Sequence, residues 1–152
     1  MPEMVIRLAI LICVGLLIWL LVMLGRRFVE ARRQRALAAT PPEILSDLVK
    51  TVEGESVAKV RILAFSSPDC RQCHQLQQPA LERVLEARGE SVSVIHIDAP
   101  SSPELTQRYQ VLTVPTTVIL DAEGYAYAVN YGFANTQRLL EQIDEVLSKV
   151  AS

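Results

Sequence analysis

Two cysteines stand three positions apart in the run Cys70-Arg71-Gln72-Cys73. On a helix that spacing puts both sulfurs on one turn, close enough to bridge or to resolve a mixed disulfide. The attacking species in such exchange is the thiolate, and a helix N-terminus favours it because first-turn amide groups point toward the negative charge. Cys70 is therefore the candidate nucleophile and Cys73 the resolving sulfur. Arg71 stabilises a Cys70 thiolate and Asp69 opposes it. Two rival chemistries use the same residues. With His74 the run spells C-x-x-C-H, a haem-attachment pattern, but that chemistry usually needs a distal ligand. Met1, Met4 and Met23 lie in or beside an N-terminal apolar stretch, and His96 lies in a predicted strand, so neither supplies one conveniently. Cys70, Cys73 and His74, with His96 as a fourth donor, also suit a soft metal. Three donors packed on one helical turn do not close a tetrahedral site, so no metal site is assigned. Cys13, the third cysteine, reads as a small apolar residue. One pair is not a disulfide scaffold, so the domain must rest on its core.

The elements around the pair follow from periodicity. Residues 43–52 read as a short helix closed by Gly54. Residues 60–65 are β-branched and apolar, a buried strand. After the loop 66–69, Leu76, Ala80, Leu81, Val84 and Leu85 recur at helical spacing, with Pro79 expected to bend the helix and Gly89 to end it. Residues 91–97 form a second strand, broken at Asp98-Ala99-Pro100. Ser101 is the expected cap of a helix running to about Tyr109, with Pro103 and Glu104 in its first turn. Residues 116–120 and 125–131 are two strands of a hairpin, with Tyr125, Tyr127 and Tyr131 expected on one packed face. Asn135 or Thr136 caps a last helix whose Leu139, Leu140, Ile143, Val146, Leu147 and Val150 form one stripe. A strand–helix–strand unit followed by helix, hairpin and helix implies an α/β fold with a central mixed sheet flanked by helices.

Cys70 and Cys73 at a strand-to-helix junction, Val114-Pro115-Thr116 before the hairpin, and Gly132 before the last helix fall at the separations of the thioredoxin family, which this sequence resembles from about residue 60 to 150. The resemblance implies the thioredoxin fold. It also implies a cis-proline at Pro115 facing the cysteines, with Val114, Pro115 and Thr116 holding an extended substrate segment. The departures are specific. Asp69 stands where family members often carry an aromatic residue, and Arg71-Gln72 where Gly-Pro is common. Ala64 occupies the place of a buried acid that helps deprotonate the second cysteine in thioredoxins proper. Pro79 comes one residue later than their helix proline.

The N-terminal part differs in kind. No residue from 8 to 24 is charged, and residues 4–25 suffice to cross ~30 Å of hydrocarbon as a helix. The expected order is an uncleaved transmembrane anchor at 4–25, a basic juxtamembrane stalk at 26–42, and a thioredoxin-like domain at 43–152. A cleaved signal peptide fits less well, because Ala36-Leu37-Ala38 lies beyond the arginine cluster. Residues 1–35 carry six arginines against Glu3 and Glu30, a net of +4; the remainder carries nine basic against fifteen acidic residues, a net of −6, which together give the chain's −2. An acidic domain with no basic stripe excludes nucleic-acid binding from the expectations. Five arginines follow the span and only Arg7 precedes it, so the positive-inside rule places the domain on the cytoplasmic side, the extracytoplasmic side being the alternative.

The sequence thus points to membrane-tethered thiol–disulfide exchange on protein thiols, disulfides or a redox partner protein. No organic cofactor is required, since the electrons reside on the Cys70–Cys73 pair. The rival is a non-catalytic binding, assembly or metal-handling module on the same fold.

Overall fold

The computed structural model describes residues 2–42 and 58–150; the expected helix at 43–52 and its Gly54 stop lie outside them. The chain divides into two compact units, Met1–Gln34 and Arg35–Ser152.

The first unit is helical. Helix α1, Pro2–Leu37, runs for 36 residues, so the expected anchor and most of the expected stalk are one uninterrupted element. None of its most apolar window is buried in protein. A row of leucines, isoleucines and valines that touches no core requires an apolar surrounding or a partner. Among its polar residues Arg33 pairs with Glu30 one turn earlier, and the Arg32 guanidinium lies 4.7 Å from the Phe28 ring.

The second unit is built on a four-stranded mixed sheet in the order β2-β1-β3-β4. Strand β1, Val60–Ser66, is buried along almost its whole length, as an apolar run with no alternation demands. It pairs in parallel with β2, Val92–Asp98, and antiparallel with β3, Thr116–Leu120. Strand β4, Ala126–Tyr131, closes the hairpin beside β3. Helix α2, Gln78–Arg88, is preceded by a wide π turn, Cys73–Gln77, and followed by a 3₁₀ turn, Gly89–Ser91. Helices α3, Pro103–Arg108, and α4, Thr136–Val150, complete the unit.

Each sheet face carries its own core. On one, Val60, Ile62 and Ala64 meet Leu81 and Val84 of α2 and Leu139, Ile143 and Val146 of α4. On the other, Leu63 and Phe65 meet Leu105 of α3 and Tyr109. Ala36, which belongs to the second unit, is fully buried in this second core. Arg88 on α2 grips both Asp144 oxygens of α4 at 2.9 and 2.7 Å, which holds that carboxyl below its ordinary range. Asn135 is the cap of α4: its Oδ1 accepts from the Arg138 N–H at 2.9 Å.

Three local expectations change. Pro79 does not bend a regular helix. Its ring would clash with the carbonyl four residues back, and the wide turn just before it, closed by the Gln78 N–H donating to the Cys73 carbonyl, removes that conflict. Ser101 does not cap α3; its hydroxyl donates to the Asp98 carboxylate, and Ser102 stands at the cap without a side-chain bond. The three tyrosines do not share a face. Ile119 pairs with Ala128 and Leu120 with Ala126, so Tyr127 is the extra residue of a bulge. Tyr127 then packs on the α2–α4 side, Tyr131 on the α3 side, and Tyr125 is exposed.

Tyr109 is fully buried against Phe65, with ring centroids 6.3 Å apart, and its hydroxyl has no hydrogen-bond partner among the described residues. Burial penalises the phenolate and pushes its pKa up to about 12. A group whose folded pKa is raised contributes stability below its unfolded value, ~10 for tyrosine, and loses it as pH climbs toward the folded value. Tyr109→Phe is therefore expected to keep neutral-pH stability within about 1 kcal/mol. It should also flatten the loss of stability between about pH 10 and 12. Urea unfolding of the full chain in detergent, followed by circular dichroism across alkaline pH, checks both.

Candidate active site

Strand β1 ends at Ser66 at the sheet's centre, and the chain turns through Ser67-Pro68-Asp69 into the helix. The Cys70 N–H donates to the Ser67 carbonyl at 3.0 Å, which closes that turn. Cys70 is half-buried, while Cys73 is only 5% exposed. The two are joined as a disulfide with Cα atoms 5.3 Å apart. The Cys73 N–H donates to the Cys70 Sγ at 3.2 Å. A backbone amide fixed on that sulfur favours its negative charge, and the start of the helix adds its dipole in the same sense. Asp69 and Arg71 are both exposed, so water and salt screen their opposed influences on Cys70. His74 is exposed and its Nε2 donates to the Pro68 carbonyl at 3.3 Å, bracing the loop in front of Cys70.

The loop before β3 shares two hollows with the cysteine loop. Pro115 is buried and borders a cavity of about 90 Å³ together with Cys73. Val114, half-buried, borders a second groove together with Ser67. The Val114–Pro115 peptide bond is cis. Two bonds hold the loop: the buried Thr116 hydroxyl donates to the Thr113 carbonyl at 2.6 Å, and the Gly132 N–H donates to the Pro115 carbonyl at 2.9 Å. Gly132 has φ +81°, a conformation that favours glycine, at the point where β4 passes this loop.

One residue near the pair escapes sequence reasoning, and another has a different setting from the one expected. Gln77 is only 3% exposed, and its amide makes two bonds to one residue: Nε2 donates to the Ala134 carbonyl at 3.1 Å and Oε1 accepts from the Ala134 N–H at 2.9 Å. This pins the cysteine helix to the segment entering α4. The available signal is a polar residue four after Cys73 on the face that also carries Ala80, Leu81 and Val84. The second is His96, expected either as a fourth soft-metal donor or as a strand residue satisfied by a neighbour. It sits beside Ala64 in the β1–β2 register, is exposed, and borders the cavity next to Cys73 without a side-chain hydrogen bond among the described residues. Among those residues no group of three or more His, Cys, Asp or Glu side chains is placed to share a metal ion.

The comparisons with known proteins agree with this architecture. Residues 45–147 match the family of the thioredoxin-like domain. Similar solved structures include a chloroplastic thioredoxin z, 22% identical with a TM-score of 0.55 over 68% of this chain and 89% of that one. A mutant thioredoxin from Halobacterium salinarum is 24% identical, TM-score 0.52, over 71% and 87%. Thioredoxin-2 of a malaria parasite, a component of its protein secretion machinery, is 20% identical, TM-score 0.53, over 57% and 82%. No curated protein matches the chain in sequence. At these identities the structures show the fold alone; the match over 45–147 shows the family. This chain belongs to the thioredoxin-like domain family, with a long apolar helix before the domain that is a candidate membrane span.

Replacing Gln77 by leucine leaves the buried Ala134 N–H and C=O without partners. The expected loss is about 1–3 kcal/mol for each group left unsatisfied. Gln77→Glu, which sets a buried carboxylate oxygen against the Ala134 carbonyl, should lower the urea midpoint at least as much as Gln77→Leu.

Proposed function

We propose that this protein is a membrane-tethered thiol–disulfide exchanger acting on protein partners. The observation that carries the proposal is the Cys73 N–H donated to the Cys70 sulfur at 3.2 Å, with Cys70 half-exposed and Cys73 buried behind it. That asymmetry suits one sulfur to attack an incoming disulfide and the other to resolve it. In the reducing direction the Cys70 thiolate attacks a partner disulfide and expels one partner thiolate. The Cys73 thiolate then attacks Cys70, re-forms the Cys70–Cys73 bond and expels the second. In the oxidising direction the same steps run backwards. The two electrons reside on the sulfur pair, so the reaction calls on no organic cofactor. Val114, Pro115 and Thr116 form the support for an extended partner segment, which the Val114 backbone can hydrogen-bond as a strand. Asp69 and Arg71 tune the entrance.

Helix α1 is the tether in this reading. Its apolar window is unburied, and the excess of arginines after it supports a cytoplasmic domain by charge bias, the extracytoplasmic side being the alternative. The non-catalytic alternative draws on Ala64, which offers no acid behind the cysteines.

Cys73→Ser should trap partner proteins covalently through Cys70, released by dithiothreitol, while a Cys70→Ser, Cys73→Ser double variant captures none. A wild type with no exchange toward a disulfide substrate, together with an empty Cys73→Ser trap, refutes the proposal in favour of the module. For the tether, the chain should stay with the membrane fraction through alkaline carbonate washing. A reporter fused after Ser152 that is active only outside the cytoplasm would reverse the assigned side.

A further inference from the structure

Resolution of a mixed disulfide needs a Cys73 thiolate, and a buried thiol cannot reach that state without handing its proton to a neighbour. A half-enclosed cavity borders Cys73 and offers such a neighbour a place. Its lining includes Ala64 of β1, which contributes only a methyl group. At about 90 Å³ it is roomy enough for water. Neither β1, nor α2, nor the Pro115 loop lends it a charged side chain; besides Cys73, its titratable groups are His74 and His96. The two imidazoles differ. His74 spends Nε2 on the Pro68 carbonyl. His96 stands beside Ala64 on the same sheet face, exposed at the sheet edge, with neither ring nitrogen committed to protein among the described residues.

We propose that His96 is the proton acceptor for Cys73, reached through the Ala64 cavity. The inference rests on the exchange reading above. The Cys73 thiol gives its proton to His96 by way of cavity water, and the resulting thiolate attacks the Cys70 sulfur. The Cys73–Cys70 bond forms, the Cys70–partner bond breaks, and the partner leaves as thiolate. His96 then returns its proton to solvent from its exposed side. In the reverse direction it protonates Cys73 as that sulfur departs. The neutral cavity wall at Ala64 and the histidine on the neighbouring strand are thus parts of one proton route.

The test uses the reduced full chain in detergent, with Cys13→Ser as background, mixed rapidly with excess of a chromogenic aromatic disulfide. The first equivalent of released aromatic thiol reports Cys70 attack and the second reports Cys73 resolution. Wild type should show a second phase whose rate carries an inflection when followed across about pH 5.5 to 9. His96→Asn should slow that phase at least about tenfold at neutral pH. It should also move the inflection to alkaline pH, leave the first phase unchanged, and respond to added imidazole. His96→Gln should behave alike, and His74→Asn should keep the wild-type inflection. A second phase unaltered in His96→Asn, or an inflection lost in His74→Asn instead, overturns the assignment while leaving the exchange reading intact. Absence of the first phase in wild type overturns both.

Discussion

Strand β1 is hydrogen-bonded on both sides and buried on both faces, and the rest of the domain is arranged around that constraint. Its parallel partner β2 and antiparallel partner β3 occupy its backbone groups through paired registers that leave little freedom to slip. Because each sheet face has its own core, a slip of one residue would send Ile62 and Leu63 to opposite clusters. The cysteine loop springs from the fixed end of this strand, and the Pro115 loop leads into its neighbour β3. Their proximity is therefore a property of the sheet and not of the loops.

A second requirement is that polar groups buried near the site be satisfied. Gln77 does this for Ala134. Asn130, on β4, does it within a small network: its Nδ2 donates to Gln142 at 2.8 Å and to Thr117 at 3.3 Å, and its Oδ1 accepts from Arg138 at 2.9 Å and Gln142 at 3.0 Å. Both residues link the sheet or the cysteine helix to the region of α4 that faces them. Such closed sets favour one arrangement over others, since each partner lost leaves another unpaired. Arg61 contributes similarly at the opposite end of β1, where its guanidinium donates to the Ala122 carbonyl at 2.8 Å and steadies the hairpin turn.

The features legible in the sequence are those encoded over short distances. The continuous apolar run of β1, the stripe of Leu139, Ile143 and Val146, and the cysteine spacing each fall within one element, and local periodicity reports them directly. Pro115 is legible only through family likeness, because nothing in the residues 113–116 themselves tells which side of the fold they face. The features that escape depend on partners distant in sequence. Tyr127 leaves the tyrosine alternation because of how β4 registers against β3. Gln77 meets Ala134 across 57 positions. The cavity beside Cys73 needs β1, β2, the helix and the Pro115 loop together. Ser101 prefers the Asp98 carboxylate, a choice that a cap motif alone does not foresee.

The wide turn Cys73–Gln77 lies between the redox pair and Pro79. A π turn holds one residue more than an α turn, so the residues on its two sides are offset by one position from a single regular helix. Leu81 and Val84 beyond it are buried against β1, and Cys73 at its start is buried as well. The helix thus carries two faces in separate step, one that seats the resolving sulfur and one that seats the core.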